Sequence, residues 1–345
     1  MLVHLVFVAL VLSFAVAWYT YSGILSNDAL VEQTLHRQQV VARSGAIMLQ
    51  DFIRTLQRSE SNFINETTNL DDVDHMETRL LHYLAEFANT PVAAAGILNT
   101  EGVEIVSVDR GGGIFRGTDY SDRKHVAWAK AAKPGEFYLS SPTVSKHGAE
   151  MGKYIGIIST PIFIQDEYVG VFSMTFSITK LTKTYLDPLK LTESSRVYLL
   201  SNDGVVVYSP IEKLIGANYF DVMATQNFEG KEGMVTNMHN ALSASGEGKF
   251  TGFLINEETR LLTNYLIAYS PIYFNDQKIW TLGISSPENV ALDFVGPLFD
   301  NQNRLLTFLV VIVIGFSLIG ITGRRIGRNE TYVKGFEDGR KSKDN

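Results

Sequence analysis

The fold is decided by residues 25–64, which are LSNDALVEQTLHRQQVVARSGAIMLQDFIRTLQRSESNFI. Apolar side chains recur there at steps of seven and four residues, which places them on one stripe of a helix. The stripe consists of Val41, Met48, Phe52, Leu56 and Phe63. No proline interrupts the run, and Gly45 is its only weak helix former of consequence. At 1.5 Å per residue the helix would be about 60 Å long. We therefore expect a spine against which later domains, or a second copy of the chain, pack.

Composition excludes several functional classes. The 345 residues are 45% hydrophobic and 19% charged, as in a globular protein. Thirty basic and 37 acidic residues give a net charge of −7, whereas a nucleic-acid-binding domain is usually basic. Cysteine is absent, which excludes disulfides, thiolate nucleophiles and thiolate metal sites.

Two apolar segments lie outside the globular pattern. Leu2–Tyr21 contains no Asp, Glu, Lys or Arg, and Leu305–Thr322 is the second such run. Both are long enough for a bilayer core, so residues 1–22 and 304–323 are predicted membrane spans, although buried core helices are an alternative. A signal peptide cleaved at 15–17 is a second alternative for the first segment.

Basic residues after the second segment predict the orientation. Arg324, Arg325 and Arg328 follow it directly, and such clusters stay on the cytoplasmic side of a membrane. Residues 324–345 would then form a short cytoplasmic tail, and residues 23–303 an extracytoplasmic domain.

Between the segments, helical and β-type patterns alternate twice. A capped helix from Asp71 to Asn89 and a short helix at 119–132 accompany the first group of strands, and a short helix at 181–189 opens the second. The predicted strands of the first group are 92–98, 103–108, 136–139, 154–163 and 168–178; those of the second are 196–200, 205–208, 249–254, 265–273 and 279–285. Polar turns at 165–167 and 275–276 separate the last two strands of each group. This order favours an α+β fold with two antiparallel sheets, repeated at about 100 residues.

Several short runs resemble the double-Cache family, the extracytoplasmic sensing module of bacterial chemoreceptors, histidine kinases and diguanylate cyclases. The resemblance covers roughly residues 25–303. The first group of strands contributes Asp119-Tyr120-Ser121-Asp122-Arg123 with Ala131, Phe137–Ser140, and Ile155–Ile162 with Gly170. The second contributes Leu200–Gly204, Ser209-Pro210, Ile215-Gly216 and Trp280–Ile284.

The resemblance implies a long helix spanning two PAS-like modules, here a membrane-distal one at 65–180 and a membrane-proximal one at 181–303. The distal module would hold the ligand. It also implies a two-pass protein of the bacterial inner membrane with its main domain in the periplasm. The acidic residue that amino-acid-binding members carry in the last distal strand would fall near Thr175, which cannot pair with a ligand ammonium.

Arg123 is the leading candidate for binding a ligand. A guanidinium at a pocket mouth holds carboxylate, sulfonate or phosphate groups bidentately; a surface ion pair with Asp119 or Asp122 is an equal alternative. Tyr120, Trp128 and Tyr138 are predicted to wall the site, with plain packing as the alternative for Trp128. The remaining candidates are His125, which could bind or titrate, and Thr175.

Catalysis and metal binding are not expected. His75 and His82 would share a helix face but lack a third ligand. The chain has neither a Gly-x-Ser-x-Gly nor a His-Glu-x-x-His motif. No cofactor, catalytic residue or metal ligand is therefore predicted.

The predicted function is a membrane-anchored sensor of a small, anionic molecule. The roughly 20 residues after the second segment are too few for an output domain, which predicts signalling through a membrane or periplasmic partner protein. A structural or regulatory subunit that uses the domain as a docking surface is the alternative, as is a truncated receptor.

Overall fold

The computed structural model describes residues 2–255, 262–293, 304–305, 307–308 and 310–315. The chain divides into two compact units, one of residues 1–33 with 289–345 and one of residues 34–288. The predicted tail at 324–345 and much of the predicted second span lie outside the described residues. Within the described ranges, no helix combines the length and the apolarity needed to cross a membrane.

The predicted spine is confirmed as part of a longer helix, α1, which spans Leu2–Asn65 without a break. Its buried stripe lies one residue away from the predicted one in the middle of the spine. Leu49 is fully buried there, whereas Met48 is 38% exposed. The buried stripe contains Ala42, Ala46, Leu49, Phe52, Ile53, Leu56 and Phe63. The prediction for Met48 was therefore wrong, because the spacing of apolar residues does not show which of two adjacent ones meets the sheets.

Gly45 has a packing role in α1. A Cβ added to it would come within 2.4 Å of Leu189 and within 2.6 Å of Leu282. Real Cβ atoms are not found at such distances, so a larger residue at this position would displace the side chains of Leu189 and Leu282. The weak helix former inside the spine is therefore explained by the elements that pack against it.

The first sheet follows helix α2 (Val73–Glu86), whose N-cap Asp72 accepts a hydrogen bond from the backbone N–H of His75 at 3.0 Å. Its strands pair antiparallel in the order β3-β2-β1-β7-β6-β4, with β5 also paired to β6. They are β1 (Val92–Leu98), β2 (Glu104–Asp109), β3 (Ile114–Phe115), β4 (Tyr138–Leu139), β5 (Thr143–Val144), β6 (Tyr154–Ile164) and β7 (Glu167–Ser177).

The second sheet has five antiparallel strands in the order β10-β11-β12-β8-β9. They are β8 (Arg196–Ser201), β9 (Val206–Tyr208), β10 (Gly248–Ile255), β11 (Leu262–Phe274) and β12 (Gln277–Pro287). Helix α4 (Ile178–Leu181), a π turn (Thr182–Leu186) and a 3₁₀ turn (Asp187–Leu189) connect the sheets; α5 (Tyr219–Ala224) and α6 (Lys231–Ser243) precede β10, and α7 (Glu288–Asp293) follows β12.

The two long hairpins turn as the sequence predicts. Gln165 and Asp166 join β6 to β7, and Asn275 and Asp276 join β11 to β12; all four have positive φ, between 46° and 67°. Two consecutive residues with positive φ form the tight turn whose twist matches that of paired strands. The antiparallel pairing of each hairpin follows from this turn.

The helix predicted at 119–132 is shorter in the structure. Helix α3 spans only Lys124–Ala129. Before it, the Asp119 carboxylate accepts a hydrogen bond from the Ser121 N–H at 2.8 Å, and the Tyr120 carbonyl accepts one from the Arg123 N–H at 2.8 Å. These local bonds form turns that compete with a helix. The following strand is reduced to β4.

A single apolar cluster joins α1 to one face of each sheet. It encloses an ionisable group, Glu60 of α1, which is fully buried. The carboxyl oxygens of Glu60 accept hydrogen bonds from Thr160 Oγ1 at 2.7 Å and from the Met174 N–H at 3.1 Å. Burial raises the pKa of Glu60 to about 8, although the two hydrogen bonds oppose the shift.

Candidate functional site

A cavity lies on the face of the first sheet opposite to α1, and we call it the first cavity. Its volume is about 80 Å³. Small side chains form its floor, because Gly96 of β1 pairs with Ser173 of β7, and Ala94 pairs with Thr175. Ile157 of β6 pairs with Thr175 and continues the row formed by Ala94 and Thr175. Alternate residues of a strand face the same side of a sheet, so these positions together leave space above the strands.

Arg123 lines the first cavity at the N-terminus of α3. Its guanidinium donates hydrogen bonds to the Thr143 hydroxyl and, at 3.1 Å, to the Val144 carbonyl, so that β5 holds it in place. Its Nε lies 4.0 Å from Asp122 Oδ1 and makes no hydrogen bond, although it is buried. The guanidinium therefore combines a positive charge with one unused donor at the cavity.

His125 lines the same cavity and is 4% exposed. Burial, and secondarily the charge of Arg123, lowers the pKa of His125 to about 4. The imidazole is therefore neutral at neutral pH and offers a ligand one donor and one acceptor without a charge.

A polar group at the side of the cavity consists of Glu104, His147 and Tyr120. His147 Nε2 lies 3.2 Å from Glu104 Oε1 and 2.5 Å from the Tyr120 hydroxyl. Burial acts to raise the pKa of Glu104, but bonding from His147 and the polar neighbours Ser107 and Thr118 outweighs it and lowers the pKa. Glu104 is therefore an anion, and its second oxygen, Oε2, is buried without a well-formed hydrogen bond.

Asp109 connects the loops around the cavity. Its carboxylate accepts hydrogen bonds from the Gly113 N–H at 2.7 Å and from the Ala149 N–H at 2.8 Å. A Cβ added to Gly148, whose φ is +76°, would come within 2.8 Å of the same carboxylate. The Gly-rich loop after β2 and the loop after β5 are therefore both tied to Asp109.

Four of the six predicted site residues line the first cavity: Arg123, Tyr120, His125 and Thr175. Trp128 and Tyr138 are not among the described residues that line it. Their rings lie 5.6 Å apart, and Trp128 packs on a small apolar cluster with Leu98 and Val171, which is the packing alternative considered for Trp128.

Sequence reasoning missed Glu104. Thr175 of β7 lines the cavity and is not acidic, as the sequence shows. The carboxylate of the cavity comes instead from Glu104 of β2. The available signal was an acidic residue between the apolar Val103 and Ile105 at the start of a predicted strand. The side chain of Glu104 faces the cavity because β2 pairs with β1, which the spacing of residues in the sequence does not show.

A metal site is not apparent in the described part of the chain, where no group of three or more His, Cys, Asp or Glu side chains could hold an ion. The walls of the first cavity carry a cation, Arg123, an anion, Glu104, and a neutral histidine, His125.

Comparison with solved structures relates this fold to sensor domains. The periplasmic sensory domain of the Campylobacter jejuni chemoreceptor Tlp1 is 16% identical, with a TM-score of 0.57, over 76% of this chain and 98% of that chain. The ligand binding domain of Mlp24, solved with asparagine, is 15% identical, with a TM-score of 0.52, over 77% and 99%. An extracellular ligand binding receptor from Desulfohalobium retbaense is 16% identical, with a TM-score of 0.50, over 71% of this chain; the match spans 39% of that receptor.

The sequence itself was also compared with families and with curated proteins. No curated protein matches the chain significantly. The profile of the Cache domain family matches residues 26–293, which include nearly all of the spine, both sheets and the first cavity. The long helix with two antiparallel sheets and the extent of this match establish that the chain belongs to the Cache domain family.

Proposed function

We propose that this chain is an extracytoplasmic sensor, not an enzyme, and that it binds a small polar metabolite in the first cavity. The Arg123 guanidinium would hold an anionic group of the ligand, as the sequence predicts. Glu104 would accept a hydrogen bond from a donor group of the same ligand. A small molecule with both an anionic and a donor group suits this pair of opposite charges.

One observation carries this proposal. Arg123 and Glu104 line one cavity, and Arg123 Nε and Glu104 Oε2 are each buried without a well-formed hydrogen bond. A buried polar atom left unpaired costs about 1–3 kcal/mol, and a ligand that pairs with both atoms removes that cost. The neighbour solved with asparagine supports a ligand of this size and polarity.

A route from the cavity to the spine is part of the proposal. Ser173 and Thr175 of β7 line the cavity, and the backbone N–H of Met174 between them donates to Glu60 of α1. A ligand that moves β7 would act on this buried contact and shift α1 between two packed arrangements. A signal would leave the domain along the helix.

Membrane attachment is a further part of the proposal, and it rests on the sequence. Leu2–Tyr21 carries no Asp, Glu, Lys or Arg, and Arg324, Arg325 and Arg328 follow the second apolar segment. This pattern favours a domain held outside the cytoplasm by the two segments.

A ligand screen with matched variants tests the proposed function. Thermal unfolding of the full chain with small zwitterionic and anionic metabolites should identify a compound that raises Tm, because a ligand that binds only the folded state stabilises it by mass action. Arg123→Ala should then weaken binding by at least about tenfold, which corresponds to 1.4 kcal/mol. Arg116→Ala is the control, since Arg116 pairs with Asp74 and Glu77 on the exterior and does not line the cavity.

Two results would overturn the proposal. One is a ligand that binds Arg123→Ala and the unmodified chain equally well. The other is a ligand set made up only of cations, because Arg123 would repel them.

A further inference from the structure

The second sheet carries a larger cavity of its own, which we call the second cavity. Its volume is about 280 Å³. It lies between the face of the second sheet that is turned away from α1 and the layer formed by α5 and α6. The first cavity does not share a lining residue with it among the described residues.

The floor of the second cavity is strand β12. Thr281, Gly283 and Ser285 line the cavity, whereas Leu282 between them belongs to the apolar cluster around α1. A Cβ added to Gly283 would meet no atom within 4 Å. The space above Gly283, at the centre of the floor, is therefore empty, because no side chain of the covering elements fills it.

Aromatic residues border this open space. Tyr198 of β8 and Tyr269 of β11 pair with Gly283 from the two neighbouring strands. The Tyr269 ring leans away from the centre, because its hydroxyl lies only 2.4 Å from the position of a Cβ added to Gly248. The arrangement leaves a slot over Gly283 with an aromatic residue on each side.

Methionines form much of the cover. Met223 of α5 and Met234 and Met238 of α6 line the cavity. Methionine side chains are flexible and polarisable, and they adapt to apolar ligands of different shapes. Helices α5 and α6 thus give the cavity a cover that can accommodate an apolar ligand.

Three hydroxyl groups in this cavity have no hydrogen bond: those of Tyr219, Thr281 and Ser285. Thr281 and Ser285 are each only 2% exposed. Buried hydroxyls in native proteins nearly always have a partner, so this grouping in one cavity needs an explanation. A bound molecule with polar groups would provide the missing partners.

The charged side chains that line the cavity indicate which polar group a ligand would carry. No Asp or Glu occurs among the described residues that line the cavity, whereas Arg196 and Lys213 do. Arg196 is paired with Ser285 across β8 and β12, which brings a cation and an unpaired hydroxyl to one end of the floor. An anionic head group fits this end, and an apolar body fits the slot over Gly283.

We propose that the second cavity is a separate ligand site for a hydrophobic carboxylate, a molecule with an aromatic or aliphatic body and one carboxylate. The carboxylate lies at Ser285 and Arg196, and the body lies over Gly283 beneath the methionines. The site is independent of the first cavity and of the function proposed for it.

The test uses 3-phenylpropionate and isothermal titration of the full chain. Gly283→Leu fills the slot without a clash at Cβ and is expected to raise the Kd by at least about tenfold. Gly233→Leu is the matched control, because Gly233 is exposed on α6 and an added Cβ there also meets no atom within 4 Å. Arg123→Ala should leave this Kd unchanged, which separates the second cavity from the first.

A second variant removes only one oxygen. Ser285→Ala deletes an unpaired hydroxyl, so the fold is retained, and binding of 3-phenylpropionate should weaken several-fold by the loss of one hydrogen bond. The uncharged analogue 3-phenylpropanol should bind more weakly than the carboxylate. Absence of saturable binding at about 10 mM, or equal Kd values for Gly283→Leu and the unmodified chain, would overturn the proposal.

Discussion

Replacing Glu60 with glutamine tests how the buried carboxyl group contributes to stability. Glu60 is fully buried in α1, and burial raises its pKa to about 8 from the ordinary 4.5. Between these two values the folded protein holds a proton on Glu60 that the unfolded chain has already released. The free energy of unfolding therefore falls as the pH rises through this window.

The magnitude follows from the same interval. Each pH unit in the window costs the folded state about 1.4 kcal/mol, so the full interval from 4.5 to about 8 corresponds to about 5 kcal/mol. Glutamine does not ionise and keeps the shape of the side chain. Its amide can accept from the Met174 N–H and donate to the Thr160 hydroxyl, so the contacts of the protonated acid are retained.

The assay is urea unfolding of both proteins at several pH values. Glu60→Gln should unfold with nearly the same free energy as the unmodified chain at pH 5, and its advantage should grow by about 3 kcal/mol between pH 5.5 and 7.5. Taking the difference between the two proteins removes the titration of all other groups. Glu86→Gln, the same change at an exposed glutamate of α2, is the control for the substitution itself.

One outcome would refute this reasoning. If the difference in unfolding free energy between Glu60→Gln and the unmodified chain did not change with pH, the carboxyl group would be ionised in the folded protein. The buried contact with β6 and β7 would then be a charged one, and the proposed route from the cavity to the spine would need another description.

Two further predictions concern basic groups, the buried His125 and the partly buried Lys278. The pKa of His125 is lowered by burial to about 4, so its NMR signals should not shift between pH 5.5 and pH 8; a transition near pH 6.5 would contradict the burial argument. The free energy of unfolding should fall as the pH falls from 6.5 toward 4, because the unfolded chain binds the proton on this histidine first. Lys278 donates to the carbonyls of Ala241, Leu242 and Ala244 at 2.7–3.0 Å, at the end of α6. Lys278→Ala should lower the unfolding free energy by about 2 kcal/mol, measured in urea. Lys183→Ala, at an exposed lysine, is the control, and equal losses in the two variants would contradict this role.

The Cache match bears on some expectations and leaves others as they were. It establishes the family, and the neighbours share a fold of sensor domains. The boundaries predicted for the two modules, the membrane spans and the partner protein stay predictions. So does the assignment of Arg123, Tyr120, Trp128, Tyr138, His125 and Thr175 to a ligand site.

Local signals in the sequence determined most of the architecture. The spacing of apolar residues predicted the spine, Asp71 and Asp72 predicted the start of α2, and the polar turns at 165–167 and 275–276 predicted the two long hairpins. These signals succeed because a helix stripe, a cap and a tight turn each depend on residues within a few positions of one another. Tyr120, Arg123 and His125 are also close neighbours in the sequence, so the sequence alone predicted them in one candidate site.

Only the tertiary structure decided what meets across the sheets. Glu104 reaches the same cavity as Arg123 because β2 pairs with β1, and the gap over Gly283 exists because helices α5 and α6 stand above β12. Likewise, Leu49 is buried and Met48 is exposed because α1 turns one face toward both sheets. Periodicity shows that a residue has an inner and an outer side, but the partner on the inner side is set by strand register and packing between residues far apart in the chain.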